Sequence, residues 1–99
     1  MVLLLWNVYE LSSDSQKLQG VSCRRRIRDF ALVQGMSLFV DNAADKDNVV
    51  RIAVLEGEDI DALSRFIYSA FTDVHLELVA HNIANPVLSN ITVNYPKNR

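Results

Sequence analysis

The segment from Gln19 to Arg24 is the strongest candidate for chemistry in this sequence of 99 residues. A polar stretch ends at Gly20 and residues with helical periodicity follow, so that Arg24 falls in the first turn of a predicted helix. A helix N-terminus offers unpaired backbone N–H groups and a partial positive charge, which bind phosphate and other anions. The arginine guanidinium adds a planar pair of donors for the same anion. The segment thus predicts an anion site. Two alternatives remain open, namely that the run RRRIR (residues 24–28) is only a solvated helix face and that Gly20 only forms a tight turn.

Three other residues of reactive type carry weaker predictions. His75 and His81 are separated by about 20 Å at the rise of a strand, too far to share a metal ion, and we expect both on an exposed face. The single cysteine, Cys23, excludes an internal disulfide and a cysteine-rich zinc site. Its position beside arginines in the first turn of a helix would suit a lowered thiol pKa. Its place on the apolar stripe of that helix favours packing in the core instead.

Composition limits the class of protein. With 49% hydrophobic and 22% charged residues, the chain is typical of one globular domain spanning residues 1–99. A net charge of −2 gives no general attraction to nucleic acid or to anionic membranes. The leading run MVLLLW is too short for a signal sequence or a membrane span and is interpreted as part of a buried first strand. We therefore expect a cytoplasmic monomer in a reducing compartment, with no nucleic-acid or membrane partner.

Periodicity predicts elements in the order β, α, β, β, α, β, with one more short strand at the end. The predicted strands cover residues 2–11, 36–42, 49–55, 74–81 and 91–95, and the predicted helices cover residues 21–34 and 58–71. Gly35 follows the first helix directly, where a left-handed residue commonly ends a helix. In the fourth predicted strand, alternation places one set of residues on a common face, namely Val74, Leu76, Leu78 and Ala80.

Each predicted helix has a single apolar stripe. The first stripe comprises Cys23, Ile27, Phe30, Ala31 and Gln34, and the second comprises Ile60, Leu63, Ile67, Ala70 and Phe71. Two helices with one stripe each must cover the same face of the sheet. The expected fold is an α/β (α+β) two-layer sandwich of ferredoxin-like topology, with an antiparallel βαββαβ sheet and an extra short C-terminal strand. Since this fold hosts many functions, function has to be argued from the site.

RNA binding is one function of such folds that the sequence can test. RNA-recognition domains stack bases on exposed aromatic side chains of their central strands. The predicted third strand, VVRIAVL, has no aromatic residue, and Trp6 and Tyr9 of the first strand point to opposite faces. The sequence therefore offers no platform for bases, and it also lacks a Walker-type phosphate loop.

Two segments resemble motifs of the acylphosphatase family. Residues 18–24, LQGVSCR, resemble the signature V-Q-G-V-x-F-R, and residues 35–42, GMSLFVDN, resemble G-L-x-G-W/Y-V-x-N. Both stand in the family's order and spacing, and the resemblance extends over roughly residues 8–95. It implies metal-independent hydrolysis of small acyl phosphates to a carboxylate and phosphate, with no cofactor.

The same resemblance implies a role for each matching residue. Arg24 would be a catalytic residue that binds the substrate phosphate, and Asn42 would be a catalytic residue that orients the attacking water. Backbone N–H groups of the loop entering the first helix would bind the same phosphate, those of Lys17, Leu18, Gln19, Gly20, Val21 and Ser22. An acyl phosphate is an activated anhydride, so its hydrolysis needs charge stabilisation and a positioned water more than acid catalysis. The implied ligands are a small acyl phosphate or inorganic phosphate.

The sequence departs from the family pattern at four places. Gln16 stands where the family has a loop glycine, Cys23 where it has an aromatic residue, and Leu38 where it has a strand glycine. Residues 43–48 replace the usual Asp-Gly turn. These departures leave an alternative open, a catalytically weak or inactive relative that binds phosphate, another anion or a protein partner. Without the resemblance, Asn42 would be interpreted as a turn residue at the end of a strand.

Overall fold

Four strands and two helices form the body of the protein. In the computed structural model, which describes residues 4–89 and 92–93, the elements are β1 (Trp6–Ser13), α1 (Val21–Gln34), β2 (Leu38–Asn42), β3 (Val50–Leu55), α2 (Ile60–Ala70), β4 (Val74–Ile83), β5 (Pro86–Val87) and β6 (Thr92–Val93). Strands β1 to β4 form one antiparallel sheet in the order β2-β3-β1-β4, and β5 pairs with β6 apart from it. The predicted combination of two helices with an antiparallel sheet is confirmed. No helix among the described residues is long and apolar enough to cross a membrane.

The bounds of the elements agree best with the prediction for α1. This helix covers the predicted residues, and Gly35 ends it in the left-handed conformation at φ 67°. Helix α2 begins two residues later than predicted, because Asp59 precedes it and accepts a hydrogen bond from the Ala62 N–H at 3.2 Å. Strand β1 starts later than predicted and runs on to Ser13, and strands β2, β3 and β4 each differ from the prediction by one or two residues at one end. The short strand β5 has no counterpart in the prediction. Residues 2, 3, 91, 94 and 95 of the predicted terminal strands lie outside the described residues.

The apolar stripes of both helices pack against one face of the sheet. Their buried residues join those of the sheet in one cluster, which comprises Leu11, Leu18, Cys23, Ile27, Val40, Val50, Ile52, Val54, Leu63, Ile67, Phe71 and Val74. The prediction that both helices cover the same face is therefore confirmed. Gln34 is an exception to the predicted stripe, since it is exposed in the last turn of α1. A polar amide is better solvated by water there than by the apolar core.

A bulge in β4 changes the face of the sheet to which the side chains in part of this strand point. The pairing of β4 with β1 shifts register between Val8 and Tyr9. As a result Ala80 packs on the face away from the helices, against a cluster of Trp6, Val8, Ala53 and Leu88. The prediction that Ala80 shares a face with Val74 and Leu76 is wrong, because one extra residue reverses the faces of the residues that follow.

Arg51 is completely buried on the face of the sheet away from the helices. Its Nε donates to Glu10 Oε2 at 3.0 Å, and its two terminal nitrogens donate to the Asp45 carboxylate at 2.6 and 3.2 Å. Its Nη1 also donates to the carbonyl oxygens of Leu88 and Ser89, both at 3.1 Å. These contacts, called here the Arg51 network, fasten the β2–β3 loop (residues 43–49) and the chain after β5 to strand β1.

Candidate phosphate site

Arg24 lies in the first turn of α1, beside the end of β2. One turn further along the helix, Arg28 donates from Nη2 to the Val40 carbonyl oxygen at 3.2 Å, which fixes α1 against β2. The Arg24 Nη1 is 3.9 Å from Asp41 Oδ1, and the Arg24 side chain is 25% exposed. Its Nε is buried and has no hydrogen-bond partner within residues 4–89 and 92–93. Arg24 is thus held beside β2 with one donor unused.

Asn42 is the last residue of β2 and directly follows Asp41, the carboxylate nearest to Arg24. Its backbone N–H donates to Asp41 Oδ1 at 2.8 Å, and it stands opposite Val50 in the β2–β3 pair. The Asn42 Oδ1 is also buried and finds no hydrogen-bond partner in the described part of the chain. The structure therefore brings both predicted catalytic residues to the same end of β2, and each retains one unpaired polar atom.

The loop that enters α1 is anchored by Leu18 and ends at Gly20. Leu18 is fully buried in the helix-side core. Gly20 is the N-cap residue in an extended conformation (φ −145°), and no side chain of a described residue caps the helix. The backbone N–H groups that begin α1, including those of Val21 and Ser22, have no carbonyl partner inside the helix. They lie one turn or less before Arg24 and remain available to an anion.

Two of the predicted phosphate-binding amides are already engaged by a side chain. The N–H groups of Leu18 and Gln19 both donate to Asn48 Oδ1, at 2.6 and 3.3 Å. Asn48 Nδ2 in turn donates to the Gln16 carbonyl oxygen at 2.9 Å. The Gly20 N–H donates to the Leu18 carbonyl oxygen at 2.7 Å. The amides that begin α1 are therefore better placed for phosphate than those of Leu18 to Gly20.

The side chain of Gln19 completes the link between the two loops. Its Nε2 lies 2.8–3.0 Å from the carbonyl oxygens of Ala43, Lys46 and Val49. We call the contacts of Gln19 and Asn48 together the loop clasp. The sequence does not predict the clasp, because its motifs assign Gln19 only a backbone role and place Asn48 only in the segment 43–48 that replaces a turn. The one signal was the residue type of Asn48, which tolerates the left-handed conformation that it adopts, at φ 54°.

Cys23 is a core residue and not a reactive thiol. It is 5% exposed, and burial raises the pKa of its thiol to about 11, although Arg26 and Arg24 act in the opposite direction. The prediction that Cys23 packs in the core is confirmed, and the interpretation of a lowered thiol pKa is wrong. Desolvation outweighs the two arginines because the thiol packs within the apolar cluster on the helix side of the sheet.

An open cavity of about 540 Å³ borders the loop before α1. Polar residues line it, from Ser13 to Lys17 together with Gln19, Asp47 and Asn48, and neither Arg24 nor Asn42 is among them. The candidate phosphate site and this cavity are therefore different surfaces that share the loop. At the rim, His75 Nε2 lies 3.0 Å from Asp14 Oδ2. Both His75 and His81 are exposed, as predicted.

Comparison of the chain with protein-family models, with curated proteins and with solved structures gives no match. Function therefore has to be inferred from the motifs in the sequence and from the contacts described above.

Proposed function

We propose that this protein hydrolyses small acyl phosphates to a carboxylate and phosphate, without a metal ion. The observation that carries the proposal is a pair of buried atoms beside the end of β2, Arg24 Nε and Asn42 Oδ1, which have no hydrogen-bond partner among the described residues. A buried polar atom without a partner costs about 1–3 kcal/mol, so two such atoms beside the same end of β2 favour a ligand that supplies their partners. These two residues are also the ones to which the acylphosphatase resemblance assigns the chemistry.

In the proposed reaction, the substrate phosphate binds between Arg24 and the N-terminus of α1. The guanidinium group and the backbone N–H groups stabilise negative charge on the phosphoryl oxygens. Asn42 Oδ1 accepts a hydrogen bond from a water molecule and holds it in line with the scissile bond. The water oxygen attacks phosphorus as the bond between phosphorus and the acyl oxygen breaks. The carboxylate leaves, and both hydrogens of the water remain on the phosphate, which is released as dihydrogen phosphate. A neutral amide suits this position because it adds no negative charge beside the phosphate.

We infer that the fold is the ferredoxin-like sandwich that the acylphosphatase resemblance implies. The strand order β2-β3-β1-β4, the antiparallel pairing throughout and the packing of both helices on one face support this inference. In this arrangement α1 leads from β1 to β2, so the first turn of the helix and the end of β2 stand close together.

A second candidate function is phosphate binding without turnover. Asn48 occupies the amides of Leu18 and Gln19, and Asp41 lies 3.9 Å from the Arg24 guanidinium, where its negative charge competes with phosphate. The charge of Asp41 would weaken phosphate binding, and the engaged amides of Leu18 and Gln19 would take no part in it. The protein would then retain the fold and bind an anion or a partner.

Turnover assays separate the two functions. We expect the protein to hydrolyse acetyl phosphate and benzoyl phosphate in the presence of EDTA, and Arg24→Ala and Asn42→Ala each to lower kcat/KM by about 10²–10³. Arg25→Ala is the matched control, since Arg25 is exposed on the same helix and should leave turnover unchanged. Equal activity in all four proteins would contradict the proposal. Phosphate-dependent NMR shifts at Gly20 and Arg24 without any turnover would establish the binding function instead.

A further inference from the structure

Asn48 connects the two loops that carry the candidate site. Its side chain uses both of its polar atoms on the loop before α1, since Oδ1 accepts from Leu18 and Gln19 and Nδ2 donates to Gln16. Its backbone belongs to the β2–β3 loop, which begins immediately after Asn42. A movement of this loop would therefore be transmitted to the phosphate-binding loop and to Asn42 together.

Gln19 makes the reverse connection. It belongs to the loop before α1, and its Nε2 lies within hydrogen-bond distance of the carbonyl oxygens of Ala43, Lys46 and Val49 in the β2–β3 loop. The Ala43 N–H donates to the Val49 carbonyl oxygen at 2.9 Å and closes the base of that loop. The two loops are therefore joined in both directions by side-chain to backbone hydrogen bonds.

We propose that Asn48 is a positioning residue for the phosphate site, an inference that rests on the proposed function. By holding Gln16, Leu18 and Gln19 in place, Asn48 fixes the approach of the chain to Gly20. It thereby fixes the direction of the N–H groups that begin α1. Through the β2–β3 loop it also keeps Asn42 in register with Arg24. Asn48 does not touch the substrate, and its effect is exerted through the loop.

The alternative is that Asn48 competes with phosphate for the Leu18 and Gln19 amides. The geometry favours positioning, because the Asn48 amide is satisfied at both ends and because its φ of 54° is a conformation that asparagine adopts readily. A competitor needs to leave when the anion arrives, whereas displacement of Asn48 would break three hydrogen bonds and leave the Gln16 carbonyl oxygen without its donor. The two roles predict opposite changes in phosphate affinity when the side chain is removed.

Asn48→Gly is the decisive variant, since glycine accepts the positive φ and removes only the side chain. Asn85→Gly is the matched control, because Asn85 has nearly the same φ of 53° and is exposed outside the clasp. Asn48→Asp keeps the acceptor for Leu18 and Gln19 and loses the donor to Gln16. The readouts are the KM and kcat for benzoyl phosphate, the Kd for inorganic phosphate and the hydrogen-exchange rates of the Leu18 and Gln19 amides.

We expect Asn48→Gly to raise the KM and the phosphate Kd about tenfold or more, with a smaller change in kcat, since three hydrogen bonds that order the loop are lost. The Leu18 and Gln19 amides should exchange faster in Asn48→Gly and stay protected in Asn48→Asp, and Asn85→Gly should behave as the parent protein does. Unchanged values in Asn48→Gly, or tighter phosphate binding, would overturn the positioning role while leaving the proposed function intact. A parent protein that neither turns over acyl phosphates nor binds phosphate would overturn both.

Discussion

Arg51 and Arg24 are associated with opposite faces of the same sheet, and they differ in how completely their donors are used. The guanidinium of Arg51 bonds two carboxylates and two carbonyl oxygens, and the residue has no exposed surface. Arg24 has one distant carboxylate at 3.9 Å and a buried Nε that finds no partner in residues 4–89 and 92–93. We call an arginine saturated when its guanidinium donors are hydrogen-bonded within the protein, and unsaturated when a donor is left over. A saturated arginine stabilises the fold, whereas an unsaturated one can bind a ligand. The contrast separates a structural site from a candidate functional site without reference to any relative.

The first prediction concerns the saturated arginine. Arg51→Met should lower the free energy of unfolding by about 3–5 kcal/mol, because it leaves Glu10 and Asp45 without their buried partner. Urea denaturation measures this change, and Arg25→Met, at an exposed position, should stay within about 0.5 kcal/mol of the parent. If the two variants were equally stable, the Arg51 network would contribute no net stability, and Arg51 would not differ from Arg24 as a structural residue.

The second prediction concerns the unsaturated arginine. Arg24→Met should change the free energy of unfolding by less than about 1 kcal/mol, since the ion pair that it breaks is long, with Arg24 Nη1 3.9 Å from Asp41 Oδ1. The same variant should lose measurable affinity for inorganic phosphate in a calorimetric titration. Arg24→Lys keeps the charge but not the planar pair of donors, so we expect it to retain only part of the affinity. A large loss of stability with unchanged phosphate binding would assign Arg24 to structure instead.

The third prediction uses acid to weaken the saturated site. A hydrogen bond from Arg51 holds the pKa of the Asp45 carboxyl below its usual range. Because its pKa is lowered, the Asp45 carboxylate stabilises the fold at any pH above its pKa in the unfolded chain, which is about 3.9. This stabilisation is lost as the pH falls through the lower pKa of the folded protein. Asp45→Asn should therefore have a lower Tm than the parent at pH 7, and the difference should shrink below about pH 4. A constant difference across this range would show that the charge of Asp45 is not what Arg51 recognises.

The fourth and smallest effect concerns Cys23, which lies beside Arg24 but faces the core. With its pKa raised to about 11, the thiol is almost entirely protonated at pH 8, and iodoacetamide should react with the native protein far more slowly than with the protein in urea. A raised pKa stabilises the fold below the unfolded value of about 8.5, and this contribution is lost as the pH rises. Equal alkylation rates in the native and denatured protein would contradict the burial of Cys23.

Much of the fold follows from local pattern. Helix α1 was predicted to the residue, because its apolar spacing and Gly35 are local signals that tertiary contacts do not override. The bulge in β4 was not predictable, since the alternation continues in the sequence and only the pairing with Tyr9 and Val8 reveals the extra residue. The burial of Arg51 also escaped prediction, because its partners Glu10 and Asp45 come from other parts of the chain.

The candidate site divides in the same way. Residue type and helix position predict an anion-binding role for Arg24 and the N-terminus of α1. For Asn42, only the family resemblance predicts a role in the site. The loop clasp could not be predicted, because Asn48 meets Leu18 across 30 residues of sequence and through backbone groups that any residue carries. The lack of a partner for Arg24 Nε and Asn42 Oδ1 among the described residues likewise results from packing, which residue type does not reveal.

The most direct test of the central claim is a crystal structure of the protein with bound orthophosphate. The account predicts one phosphate at the N-terminus of α1, with an oxygen about 2.7–3.1 Å from Arg24 Nε and with the Asn42 side chain in contact through a single water molecule. A phosphate seated in the cavity beside Lys17, with Arg24 still turned toward Asp41, would contradict it.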